Sequence, residues 1–311
     1  MGNYAIAIHG GAGRLMNGSL NPEEEKAYLE KLSEALQVGY TILSNGGSAI
    51  DTVEATVRVL EDCPLFNAGK GSVFNSEGKN EMDASIMNGK NLKAGAIAAV
   101  STIRNPVSGA RAVMEKSVHV LLAGHGAEKF LEEQGIEIVP PSYFYDEERY
   151  QNWLATKDME GASWAGDTYI AHPEKKLGTV GCVALDSTGN LAAATSTGGM
   201  NNKKFGRVGD SPIIGAGCYA DNKTCAVSCT GEGEYFIRQS TAYDIAALME
   251  YKGFTVAQAA TEAIKKVAQL GGEGGLIAID NQGNISVPFN TSSMFRGWIN
   301  AQGEKFTGIF R

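Results

Sequence analysis

The chain has 311 residues, 43% apolar and 20% charged, which is ordinary globular usage and excludes a disordered chain, a coiled coil or a fibre. Its 27 Lys and Arg against 35 Asp and Glu leave a formal charge of −8, with no basic block of the kind that nucleic acid or an anionic membrane would select. Glycine is the outlier at 39 residues, mostly in GG or GxG clusters between apolar segments, which implies many tight turns and close backbone approaches.

The N-terminal residues show no basic stretch followed by a long apolar one, so no signal peptide is expected. No apolar run approaches the ~20 residues of a membrane span. Tyr4–Ile8 reads as a buried strand that enters the turn His9-Gly10-Gly11-Ala12-Gly13. Asn21-Pro22-Glu23-Glu24 starts a helix that should stop near Gly46-Gly47. Ser48 with Asp51 starts a second helix, which must end before Pro64. Residues 64–81 read as a long ordered loop, and Asp83–Val100 as a hairpin turning at Asn88-Gly89 in type I′ geometry. Helices are expected around Ala110–Leu122 and Ala127–Gln134.

From Pro140 the chain turns irregular, and about Thr156–Leu177 is expected to be a flexible connector. Strands then follow at Thr179–Leu185, Leu191–Thr197, Gly215–Ala220 and Thr224–Cys229. Helices are expected at about Glu234–Tyr251 and Val256–Leu270, the second opened by the capping box of Thr255 and Gln258. Gly275–Arg311 is a last meander. Hairpins of strands with helices in pairs argue for antiparallel sheets covered by helices, an α+β architecture.

Familiar catalytic signatures are absent: no P-loop, no dinucleotide-binding fingerprint, no G-x-S-x-G elbow and no H-E-x-x-H. The five cysteines (Cys63, Cys182, Cys218, Cys225, Cys229) have neither zinc nor disulfide spacing and read as small buried hydrophobes in a reducing compartment. A hydrolase here needs another nucleophile. A threonine serves if its own α-amine is free, because an α-amine of pKa about 7.7–8.0 can take the hydroxyl proton near neutral pH. Such a threonine must open a chain, so an internal one requires the peptide bond before it to be cut. Gly178-Thr179 fits, at the junction of the irregular stretch and an apolar strand. Three further segments support it: Ser196-Thr197-Gly198-Gly199, Gly206-Arg207-Val208-Gly209-Asp210-Ser211-Pro212 and Cys229-Thr230-Gly231-Glu232-Gly233. A cation and an anion three residues apart among glycines suit a zwitterionic amino-acid head better than a surface salt bridge.

With those motifs, the opening I-x-I-H-G-G-A-G, Phe66-Asn67-Ala68-Gly69 and Gly274-Gly275-Leu276-Ile277, the chain resembles the plant-type (type III) L-asparaginases, or isoaspartyl peptidases, of the N-terminal-nucleophile hydrolases. The resemblance implies a four-layer αββα sandwich and self-cleavage into residues 1–178 and 179–311, the connector (about 156–178) ending at the cut. It implies that Thr179 is the nucleophile, Thr197 its hydroxyl partner, and Thr230 with the Gly231 N–H the oxyanion hole. Arg207 would bind the substrate α-carboxylate, and Asp210, assisted by the Gly233 carbonyl, the α-amine. Asn67 would stand beside the nucleophile. No cofactor is implied for the chemistry, but a structural sodium ion is, held by the backbone carbonyls of Leu60, Glu61, Cys63, Phe66, Ala68 and Lys70.

The implied substrates are the small molecules L-asparagine and β-aspartyl dipeptides, the implied assembly a dimer of αβ units, and the implied location the cytoplasm. Two alternatives stand beside this reading: a glycosylasparaginase, which usually has Asp before the threonine where this chain has Leu177-Gly178, and a non-catalytic ligand-binding homologue.

Overall fold

A computed structural model of the chain describes residues 3–158 and 178–311. In order, β1 (Ala5–Gly13) leads to α1 (Pro22–Ser44), α2 (Ala49–Glu61), β2 (Met82–Asn88), β3 (Lys93–Val100), α3 (Pro106–Lys116), β4 (Leu121–Ala123), α4 (Gly124–Glu133) and α5 (Glu147–Thr156). Past residue 178 come β5 (Val180–Leu185), β6 (Leu191–Thr197), β7 (Cys218–Ala220), β8 (Cys225–Gly231), α6 (Gly233–Gln239), α7 (Thr241–Lys252), α8 (Val256–Gln269), β9 (Gly274–Asp280), β10 (Ile285–Ser286), β11 (Ser293–Ile299) and β12 (Lys305–Phe310).

The helices begin where side-chain chemistry dictates. Asn21 and Glu24 form a reciprocal capping box at α1, with Pro22 in the first turn. Ser48 accepts the Asp51 N–H at α2, and Thr255 with Gln258 boxes the start of α8.

The strands form an eight-stranded sheet, ordered β12-β11-β1-β5-β6-β2-β3-β4, and a four-stranded sheet, ordered β10-β9-β8-β7. All pairs are antiparallel except β3 with β4. Alternation along the central strands puts each face into a different core. Ile6 and Ile8 of β1 and Cys182 of β5 face Leu32, Leu36, Val53 and Val57 of the first two helices. Ala5, Ala7 and Val183 face the other sheet, against Ala226, Ile277 and Ile279. Val227 and Leu276 close on Phe236, Ile245 and Val267 of the last helices. The result is the expected four-layer sandwich: helix, sheet, sheet, helix. Each fully buried aliphatic side chain contributes on the order of 1.5–3 kcal/mol.

The large sheet interleaves the two parts of the chain. β1, β2, β3 and β4 precede residue 178, whereas β5, β6, β11 and β12 follow it, and they alternate across the sheet in groups.

Several boundaries differ from expectation. β1 runs on through the glycines, with an irregularity in its pairing to β11 between His9 and Ala12. The β2–β3 turn is not a two-residue Asn-Gly turn, because Asn88 still pairs with Lys93. Gly89 is held between neighbours, its N–H on Leu191 O and its carbonyl on Asn222 N–H, and Leu92 takes the positive φ instead. α3 starts at Pro106 and ends before β4, an edge strand hidden in the expected helix. The expected helix at 234–251 breaks at Ser240, which adopts a left-handed conformation between α6 and α7. α5 lies in the stretch read as irregular and buries Trp153. Of the expected connector, residues 159–177 lie outside the described residues. All five cysteines are unpaired and buried.

Candidate active site

Thr179 sits one residue before β5, which pairs with β6 at Val180 and Ser196. Its side chain is only 7% exposed and meets the end of β6, where its Oγ donates to Thr197 Oγ over 3.1 Å. Thr197 Oγ also accepts the Gly199 N–H at 3.0 Å, so that acceptor is fixed from the far side. Ser211 Oγ lies 3.4 Å from the Thr179 hydroxyl.

Thr230 stands near the end of β8. Its hydroxyl is buried and has no hydrogen-bond partner among the described residues. A Cβ built on Gly178 would lie 2.9 Å from this Oγ, so the hydroxyl borders the peptide bond preceding Thr179. An unpaired buried hydroxyl costs about 1–3 kcal/mol, and a negative oxygen arriving beside it would remove that cost. Gly231 follows with φ +144°, in a region open to glycine, at the turn toward α6.

Asp210 is buried, its Oδ2 is also without a partner, and burial pushes its carboxyl up to about 7 against the pull of Arg207. A Cβ on Gly233 would stand 2.8 Å from Asp210 Oδ1 and 3.1 Å from Arg207 Nη2. The bare glycine therefore leaves the gap on which cation and anion converge. Arg207 and Asp210 do not form the surface bridge with each other that the spacing allows. Arg207 instead donates Nε and Nη2 to the two carboxylate oxygens of Glu234, at 2.9 and 2.8 Å. The Nη1–Nη2 edge stays available for a second carboxylate.

Asn67 sits beside this cluster, and both ends of its amide are engaged. Its Nδ2 donates to Gly199 O at 2.7 Å, its Oδ1 accepts the Val73 N–H at 3.1 Å, and its backbone carbonyl accepts the Gly198 N–H. It ties the loop after α2 to the residues that follow Thr197.

That loop carries the carbonyls named for sodium. Three of them already accept N–H groups: Leu60 from Asp62 and Cys63, Phe66 from Ala68, and Ala68 from Gly71. Side chains on Gly69 and Gly71 would overlap the Glu61 and Phe66 carbonyls respectively. Two glycines thus clear a cradle lined by carbonyl oxygen, donors that suit a hard monovalent cation. The Glu61 side chain points elsewhere, into a fully buried position where it accepts the Val107 N–H. Burial pushes that carboxyl up to about 8.

The structure thus brings Thr179, Thr197, Thr230, Gly231, Arg207, Asp210, Gly233 and Asn67 to one end of the two sheets. Sequence reasoning did not assign Ser211, Glu234, His9 or Ser228. Ser211 and Glu234 adjoin assigned residues, so adjacency was their only signal. His9 and Ser228 are 219 positions apart and meet only in the fold, with Nε2 and Oγ at 2.8 Å.

The model of the asparaginase family matches residues 2–309. The chain is 53% identical over 313 residues to an isoaspartyl peptidase of Escherichia coli, covering 100% of this chain and 97% of that one. It is 51% identical over 318 residues to an isoaspartyl peptidase of Salmonella typhimurium, covering 100% of both. It is 46% identical over 293 residues to an isoaspartyl peptidase/L-asparaginase of Mus musculus, covering 94% of this chain and 86% of that one.

Proposed function

This chain belongs to the asparaginase family, and from that premise we propose that it is a self-processing threonine amidohydrolase acting on β-aspartyl dipeptides and L-asparagine. The names of its relatives favour this reading over a glycosylasparaginase. The observation that carries it is the buried Thr179 hydroxyl on Thr197, near the Thr230 hydroxyl and the Asp210 Oδ2, both without a partner among the described residues.

Cleavage before Thr179 frees its α-amine. The amine takes the Thr179 Oγ proton, and Oγ attacks the β-carbonyl of the substrate. The developing oxyanion is received by the Thr230 hydroxyl and the Gly231 N–H; losing one such donor typically costs ~10²–10³ in rate. The amine returns its proton to the departing nitrogen, leaving an aspartyl ester on Thr179. Water, activated by the same amine, cleaves the ester and releases L-aspartate. Arg207 binds the α-carboxylate through its remaining edge, and Asp210 with the Gly233 carbonyl binds the α-ammonium. Asn67 acts by holding the loop behind Thr197.

A structural sodium ion belongs to the same reading, held by the carbonyls of Leu60, Glu61, Cys63, Phe66, Ala68 and Lys70. It would supply positive charge to a segment rich in backbone carbonyls, and the proposed chemistry calls on no cofactor. Residues 1–178 and 179–311 become the two subunits, and two such units pair. The five unpaired cysteines support the cytoplasm as location. No helix of the described residues is long and apolar enough to cross a membrane.

The test is Thr179→Ala. The wild type should give two fragments on a denaturing gel after incubation at neutral pH, and release aspartate from both substrates. The variant should stay whole at 32.9 kDa and release none. Turnover by the variant would refute the nucleophile.

A further inference from the structure

We propose that His9 is a positioning residue for the nucleophile, holding the main chain of Thr179 across the seam between the two fragments. This rests on the reading of Thr179 given above.

The argument starts from the ladder between β1 and β5. Pairing runs from Ala5 with Leu185 to His9 with Gly181. Two residues further, the same register would set Gly11 opposite Thr179. That pairing is absent. Gly11 has turned to φ +109°, and a Cβ there would overlap the main-chain nitrogen of Gly178. The N-terminal strand therefore leaves its ladder with β5 beside Gly178, the residue before the proposed cut.

The Thr179 carbonyl is not abandoned. His9 Nδ1 lies 3.0 Å from it, so a side chain takes the place of the missing ladder bond. A carbonyl can only accept, which fixes the proton on Nδ1 and makes Nε2 an acceptor. Ser228 Oγ, at 2.8 Å, then donates to Nε2. Thr195 Oγ stands 2.7 Å behind Ser228. The same hydroxyl donates to the Gly217 carbonyl at 3.1 Å, which also accepts the Cys229 N–H. The two protons nearest Thr179 point toward it, Ser228 to His9 and His9 to the carbonyl. The imidazole is fully buried, and burial pushes it down to about 3, so it stays neutral with this tautomer.

The fold reserves space for this row. A side chain on Gly181 would overlap both Ser228 Oγ and His9 Nε2. The need arises at cleavage. A new chain end frays unless tied down, and here the end is the nucleophile. His9 lies before the cut and Thr179 after it, so the bond from Nδ1 fixes the terminal residue from the other fragment. With the carbonyl pinned and Val180 paired, the Cα frame is set, and Oγ keeps its place on Thr197.

The test compares His9→Leu with His9→Asn. The two side chains have nearly the same shape and leave the same void, but only asparagine can donate to the Thr179 carbonyl. Processing is followed on gels, and kinetics with L-asparagine are measured on fully cut protein. His9→Leu should lower kcat about tenfold or more, with KM within about twofold; His9→Asn should recover most of the loss. Equal kcat in the two variants, or a wild-type kcat in His9→Leu, would overturn the proposal. If His9→Leu yields no folded protein, Ser228→Ala decides. It removes the donor that sets the tautomer and should lower kcat several-fold at unchanged KM, whereas an unchanged kcat refutes the role. Thr179→Ala runs beside them: turnover there would defeat the nucleophile assignment itself, independently of His9.

Discussion

Arg207 presents one edge of its guanidinium to Glu234, with Nε and Nη2 on the two carboxylate oxygens at 2.9 and 2.8 Å. The chain thus supplies its own carboxylate to the cation assigned to the substrate. Glu234 occupies one fork and fixes the direction of the other. Two effects oppose when it is removed: the freed charge attracts anions more strongly, but the side chain loses its orientation. A half-exposed ion pair is worth little as charge, typically under about 1 kcal/mol, so orientation should dominate. Glu234→Gln should raise KM for L-asparagine about threefold to tenfold while kcat stays within about twofold. Steady-state kinetics check this, and a lower KM would show that Glu234 competes with substrate instead.

Asp210 sets a pH dependence. Burial lifts its carboxyl to about 7, yet it must be ionised to accept an ammonium group. Once substrate is bound, that ammonium holds it ionised. The Thr179 amine must also be neutral, and amines of this kind titrate at about 7.7–8.0. Between about pH 6 and 8, kcat/KM should therefore climb more steeply than kcat. Parallel profiles would remove Asp210 from ammonium binding. Stability follows the same group with a definite sign. The fold keeps a proton that the unfolded chain loses near its ordinary 3.8. This contribution is complete below that value and is lost as pH rises through about 7. Asp210→Asn should flatten that part of the curve of Tm against pH.

The carbonyl-lined loop predicts a cation effect. Replacing sodium chloride by choline chloride at equal ionic strength should lower Tm by about 2–5 °C, the shift expected for losing a ligand held at several times its Kd. Equal melting temperatures would mean that the loop stands without the ion.

Much of this was legible in the sequence because it was written locally. Capping at Asn21, Ser48 and Thr255 needs only neighbours three residues away, and all three helices start as read. The three candidate threonines were legible because each stands at or beside a strand end next to glycine. What failed was decided at long range. Asn88-Gly89 has the chemistry of a tight turn, but Leu191 and Asn222 hold Gly89 from two other elements. The role of Asn67 could be located but not assigned, since its partners Gly198 and Gly199 come from the other part of the chain. Thr195 and Ser228 read as ordinary strand residues, and His9 as the head of a glycine turn. Only the packing of two sheets puts their polar atoms in a row.

The interleaving of the large sheet bears on what the proposed cut before Thr179 would do to the molecule over time. β1 lies between strands of the later segment, and β5 with β6 between strands of the earlier one. Cutting one peptide bond therefore releases neither piece, because each is clasped by the other along several ladders. The loss shows only if the protein melts. The uncut precursor regains this order from a single tethered chain at any dilution. The mature form must bring two separate polypeptides together and thread them alternately into one sheet, a bimolecular search exposed to aggregation. Activation by that cut would thus also be a loss of memory: the cut enzyme would persist by not unfolding, its lifetime set by the height of a barrier rather than by the depth of a well.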